Sequence, residues 1–100
     1  MNMQALMKQA QAMQRDITKI KNDIDSTVFE GKSSLVSVEV KGTKEVVKVS
    51  IDNGAKDLIS EDISMLEDMI VLALNDAFSK VDKTTEEKMG KYSSMMPGLM

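Results

Sequence analysis

The chain predicts an α+β domain: a long N-terminal helix, a small antiparallel sheet of two to three strands, a second long helix, and a short C-terminal helical turn and tail. Three observations predict it. A 3/4 spacing of apolar residues runs through the first 25 positions, valines alternate with polar residues between 36 and 51, and a broad 3/4 stripe returns from 63 to 81. The length of 100 residues, with 42% apolar and 29% charged content, suits a single soluble domain over 1–100.

In the first helix, 1–25, the apolar positions are Met3, Leu6, Ala10, Met13, Ile17, Ile20 and Ile24. Their alternating spacing of three and four residues is an a/d heptad seam, uninterrupted by glycine or proline. Gln, Ala, Met and Lys, all good helix formers, fill the remaining positions. Some 22 helical residues extend about 33 Å at 1.5 Å each. A compact chain of this size has a radius of gyration of only about 13 Å. Part of the helix is therefore expected to overhang its own sheet, leaving an apolar seam that needs a second helix or a second subunit.

The sheet is expected within 27–52. Thr27-Val28-Phe29-Glu30 reads as a short first strand, ended by Gly31 and the polar Lys32-Ser33-Ser34. Val36, Val38 and Val40 alternate with Ser37, Glu39 and Lys41, the pattern of a half-buried strand. Gly42-Thr43 supplies a tight turn, and Val47, Val49 and Ile51 alternate with Lys48 and Ser50 on the way back. The helices are expected to cover the single apolar face that results. Asp52-Asn53-Gly54 closes the last strand as a turn.

The second helix is expected over 60–82, with Ser60 as its N-cap and Glu61 and Asp62 in the first turn, where carboxylates suit the helix dipole. Ile63, Leu66, Met69, Ile70, Ala73, Leu74, Ala77, Phe78 and Val81 form a stripe broad enough to be the main cover of the sheet. In the remaining segment, 83–100, a short helical turn at Thr85–Lys91 precedes an irregular, Met-rich tail. Most of the ten methionines sit at core-like helical positions, whereas Met95, Met96 and Met100 lie in that tail.

The residue inventory excludes much chemistry. Without cysteine or histidine there are no disulfides, no thiolate or imidazole metal ligands, and no Ser-His or Cys-His nucleophile pair. Gly31-Lys32-Ser33 imitates the end of a phosphate-binding loop, but the required earlier glycine is Ser26. Asp52-Asn53-Gly54 lacks the alternating ligands and closing Glu of a calcium loop. Glu61, Asp62, Glu67, Asp68 and Asp76 read as a solvated face, because no partner with tuned chemistry accompanies them. No enzyme activity, cofactor or small-molecule substrate is expected. The first residues lack the apolar core of a signal peptide, and the longest apolar run, Met69 to Leu74, is far short of the roughly 20 residues of a membrane span. The expectation is a cytoplasmic protein with no membrane partner.

Net charge is −3, and it is unevenly placed: residues 52–83 hold three basic and eight acidic side chains, while 1–25 hold four and three. A polyanion must therefore be met by the first half. With Lys8 as origin and about 100° per residue, Arg15 falls near 340°, Lys19 near 20° and the apolar seam near 170°. Three cations thus line the face opposite the seam, with Lys21 nearer the flank. Such a stripe is either a solvated surface or a set of phosphate contacts, which a symmetric dimer would double. Neither aromatic platforms nor a helix-turn-helix pattern is present, so base-specific readout is not expected.

The strings LMKQAQAMQ (6–14), VSVEVKGTKEVVKVSID (36–52), LEDMIVLALNDAFSKVD (66–82), EKMGK (87–91) and PGLM (97–100), in this order, resemble the YbaB/EbfC family of bacterial nucleoid-associated proteins. The resemblance spans nearly the whole chain. It implies an intertwined homodimer with helices projecting from a small sheet, a cytoplasmic, nucleoid location, double-stranded DNA as partner, no cofactor and no catalytic residues. Carried onto this chain, the helical ends implied in DNA contact hold Lys8, Arg15, Lys19 and Lys21, with Lys88 and Lys91 towards the other end. A dimer's charge would be twice the single chain's −3, so binding is expected to rest on local cation geometry and to weaken with salt. The alternative is a non-enzymatic adaptor that uses the heptad seam and the Met-rich tail to engage other proteins.

Overall fold

A computed structural model describes residues 2–55 and 62–90. The order is α1 (Met3–Ser26), β1 (Val28–Ser33), β2 (Val36–Lys41), β3 (Val46–Ile51), a 3-10 turn (Asn53–Ala55) and α2 (Ile63–Met89). The sheet is antiparallel with strand order β1-β2-β3.

Helix α1 starts where the Asn2 side-chain oxygen accepts from the backbone N–H groups of Gln4 (3.0 Å) and Ala5 (3.4 Å), satisfying two donors that the helix cannot. It ends at Thr27, whose hydroxyl donates to the Asp23 carbonyl. The returning chain packs hard against this end: a Cβ on Gly42 would collide with the Ile24 backbone.

Strand β1 is longer than the sequence suggests. It continues through Gly31, Lys32 and Ser33, so the expected turn residues are strand, and the hairpin is closed by Ser34-Leu35. Ser34 adopts φ 52°, a left-handed conformation that costs an L-residue about 1–2 kcal/mol. Ser34→Gly is therefore expected to stabilise the fold by about 0.5–1 kcal/mol once the extra freedom of glycine in the unfolded chain is subtracted. A urea melt with an unchanged or lower midpoint would contradict this. The second turn spans residues 42–45, also longer than the expected Gly42-Thr43 pair, with Lys44 at φ 72°.

The core lies between the sheet and α2. Val36, Val38 and Val40 are fully buried against Ala73, Ala77 and Val81, flanked by Phe29, Leu66, Met69, Ile70, Leu74 and Phe78. Each buried valine contributes on the order of 1.5–3 kcal/mol. Small alanines on α2 meet Gly31 on β1, and this lets the helix lie close to the strand.

Helix α2 differs from expectation at both ends. Its N-cap is Asp62, whose carboxylate accepts from the Met65 N–H at 3.1 Å; the expected cap, Ser60, lies outside the described residues. It does not stop at residue 82. No glycine or proline interrupts 82–89, the Thr85 hydroxyl bonds back to the Val81 carbonyl (2.8 Å), and Met89 is buried against Ile17. The helical turn expected from Thr85 is thus the last part of α2. Lys91 and the tail lie outside the described residues.

Helix α2 packs chiefly over β1 and β2 and leaves the apolar residues of β3 exposed. Val49 and Ile51 stand opposite the buried Val38 and Val36, yet they are 44% and 41% exposed. The alternation identified the right face for Val49 and Ile51, but a bulge beside Glu39 and Val40 sets Val46, and not the expected Val47, opposite Val40, and among the described residues the expected helical cover over β3 is missing. The molecule is also drawn out, with a radius of gyration of 19.4 Å and extents of 71 × 19 × 15 Å. A compact chain of this length would have a radius of gyration of about 13 Å. The overhang expected of α1 is real: residues 2–11 are exposed on every side.

Candidate nucleic-acid interface

The α1 seam is divided between two environments. Ile17 and Ile24 are buried within the chain, and Met13 and Ile20 pack beside Ile17 and Met89, so α2 covers this half. Met3, Leu6 and Ala10 remain exposed, the first two at 68% and 44%. Only this N-terminal half is available to a second subunit.

With the seam turned inward at Ile17 and Ile24, the opposite face of α1 is fixed outward. Lys8, Arg15 and Lys19 are all exposed there, and none is in an ion pair among the described residues. Arg15 and Lys19 border an open, shallow recess with Gln11, Gln14, Thr18, Asn22 and Asp23, a surface rich in N–H and O–H donors with one carboxylate at its edge. Lys21 differs from the others. Its ammonium is held by Asp25 at 3.0 Å one helical turn on, which reduces its capacity to meet a phosphate. Lys88 is exposed in the last turn of α2, where a cation suits the helix dipole.

Among the described residues, three other lysines are engaged by acids: Lys41 with Glu45 (3.9 Å), Lys44 with Asp82 (3.0 Å) and Lys80 with Asp76 (3.4 Å). Asp76 also accepts from the backbone N–H of Lys32 at 3.1 Å. That bond, aided by the Lys80 ammonium and opposed by desolvation, holds the Asp76 carboxyl below its ordinary value. A depressed native value means that its stabilisation is present above the unfolded value and is lost as pH falls through the folded one.

Among the described residues, no group of three acidic, histidine or cysteine side chains is placed to hold a metal ion, and no helix is long and apolar enough to cross a membrane. Sequence reasoning missed that the apolar row of β3, Val49 and Ile51 with Val46 in the place expected for Val47, is uncovered. Its alternation was visible, but nothing in it signalled that α2 would fall short.

The profile of the YbaB/EbfC DNA-binding family matches residues 1–96. This chain belongs to that family. The family is a DNA-binding, non-enzymatic one, as the strings from 6–14 to 97–100 implied. Among its relatives is a "Nucleoid-associated protein" of Ligilactobacillus salivarius (strain UCC118), 45% identical over 101 residues, covering 99% of this chain and 95% of that protein. Another of that description, from Streptococcus thermophilus (strain CNRZ 1066), is 39% identical over 99 residues, covering 97% and 98%. The fold is shared with the crystal structure of an uncharacterized protein, HP0035, from Helicobacter pylori, at a TM-score of 0.68 and 22% identity, over 96% of this chain and 99% of that one.

Proposed function

We propose that this member of the family is a nucleoid-associated protein of the cytoplasm that binds duplex DNA as a homodimer. It does so through phosphate contacts with little or no base readout, and it thereby affects nucleoid organisation or gene expression. One observation carries the reading: Lys8, Arg15 and Lys19, in no ion pair among the described residues, stand on the outward face of a projecting helix in a DNA-binding family. Lys21, Lys88 and Lys91 are secondary contacts, Lys21 the weaker for its bond to Asp25.

The homodimer is supported by apolar surface that a solitary chain leaves in water. Val46, Val49 and Ile51 on β3 and Met3, Leu6 and Ala10 on α1 are such surfaces. Ile17, Ile20 and Ile24, with Met13, serve the dimer indirectly by fixing α1 on its own domain.

Anisotropy titration of labelled duplex at several salt concentrations tests the DNA reading. Six phosphate contacts per dimer predict a log–log slope of about −5, from about −0.9 per contact. Undetectable binding at low salt would refute the DNA reading and leave the exposed apolar surfaces to the adaptor alternative. Light scattering tests the dimer independently of DNA.

A further inference from the structure

The two edges of the sheet are treated differently. The hydrogen bond from the Lys32 N–H to the Asp76 carboxylate (3.1 Å) shows that Lys32 points its main chain away from β2. By the antiparallel alternation, Glu30 does the same, and its carbonyl accepts from the Lys80 ammonium at 2.7 Å. Asp76 and Lys80 lie one helical turn apart on α2, 3.4 Å from each other, and reach over the rim of β1 together. They occupy the acceptor and the donor that flank Gly31, in the middle of the strand.

At the other edge the same parity can be followed. Val36, Val38 and Val40 are bonded towards β1, so Ser37 and Glu39 turn to Ser50 and Lys48, and the main-chain groups of Val49 and Ile51 point outward. Among the described residues nothing bonds to them. On the face it shares with Val36 and Val38 this edge carries the exposed apolar Val49 and Ile51, while Lys48 and Ser50 stand on the other face. Among the described residues no charged side chain is bonded to the outward main chain. An edge that is bare in its backbone and apolar on one face is a template for strand addition, whereas charged side chains bonded across the edge's own main chain prevent it.

We infer that Asp76 and Lys80 seal the β1 edge against strand addition, so that a second copy of this chain joins only at β3 and association ends at two. The inference rests on the two-copy reading above and adds its limit. Two β3 edges meeting consume each other, because the contact is isologous. An open β1 would leave a free edge at each end of the joined sheet, and copies would continue to add.

The test is a concentration series by light scattering on the full chain. The wild type is expected to remain at twice the chain mass throughout. The double variant Asp76→Ala, Lys80→Ala is expected to exceed four times the chain mass as concentration rises, with helix content by circular dichroism unchanged. Asp76→Asn keeps an acceptor oxygen for the Lys32 N–H and is expected to stay at two. A double variant that keeps its helices and the wild-type mass would overturn the seal. If the double variant loses its helices, amide exchange on the wild type decides: the Lys32 amide is expected to be protected at least tenfold, and free exchange there would overturn the seal. A wild type at single-chain mass would instead overturn the two-copy reading, so the two failures are read from different samples.

Discussion

Replacing Lys8, Arg15 and Lys19 by glutamate is expected to abolish measurable duplex binding at moderate salt while leaving the mass of the dimer unchanged. The three side chains lie on one outward face of α1 and are in no ion pair among the described residues, so no internal interaction is lost with them. Each neutralised phosphate contributes about 0.9 to the salt slope, so losing six contacts per dimer should flatten it by about 5, leaving only what the secondary contacts supply. Over a fourfold change in salt, a slope of that size corresponds to about a thousandfold in affinity. Lys21→Glu alone should have a smaller effect, because Asp25 already holds that ammonium. Unaltered binding by the triple variant would remove these residues from the interface.

The largest expected effect on stability comes from one added methyl group. A Cβ at Gly31 would stand 2.6 Å from the Ala77 nitrogen and 2.7 Å from the Ala77 Cβ, and it would also collide with the Ala73 carbonyl oxygen. Two of these neighbours are backbone atoms of α2, which cannot move without lifting the helix off Val36, Val38 and Val40. Gly31→Ala is therefore expected to cost about 3 kcal/mol, the upper range for overpacking. That is a large share of the stability of an ordinary domain. Gly90→Ala is the control: among the described residues a Cβ there meets nothing within 4 Å and the backbone is already right-handed helical (φ −54°, ψ −40°), so it should be neutral or slightly stabilising. Equal urea midpoints for the two variants would contradict the close crossing of α2 over β1.

Much of the architecture was legible because it depends on periodicity. The 3/4 spacing from Met3 to Ile24 marked α1, and the valine alternation marked which residues of β2 face the core. The departures have a common physical origin in tertiary contacts. Gly31-Lys32-Ser33 reads locally as a turn, yet the glycine is there because a helix passes over it and the lysine backbone is bonded to a carboxylate 44 positions away. The extent of α2 past Asp82 was open to reading, since no breaker follows, but the burial of Met89 that holds it depends on α1. The exposure of Val49 and Ile51 was not legible, because alternation tells which way a side chain points and not what stands above it. The cations on α1 were where the helical angle put them, and only the pairing of Lys21 with Asp25 separated one from the rest.

The chain's 71 Å length bears on how it would sit on a duplex. B-form DNA repeats about every 34 Å, so a rod of this length laid parallel to the axis passes two successive windings. Where the two subunits of a dimer set their α1 cations one winding apart, the two sets of contacts would meet the same side of the double helix. Footprints in nuclease protection are therefore expected to come in phased blocks with a spacing of about 10 base pairs, whatever the sequence beneath them.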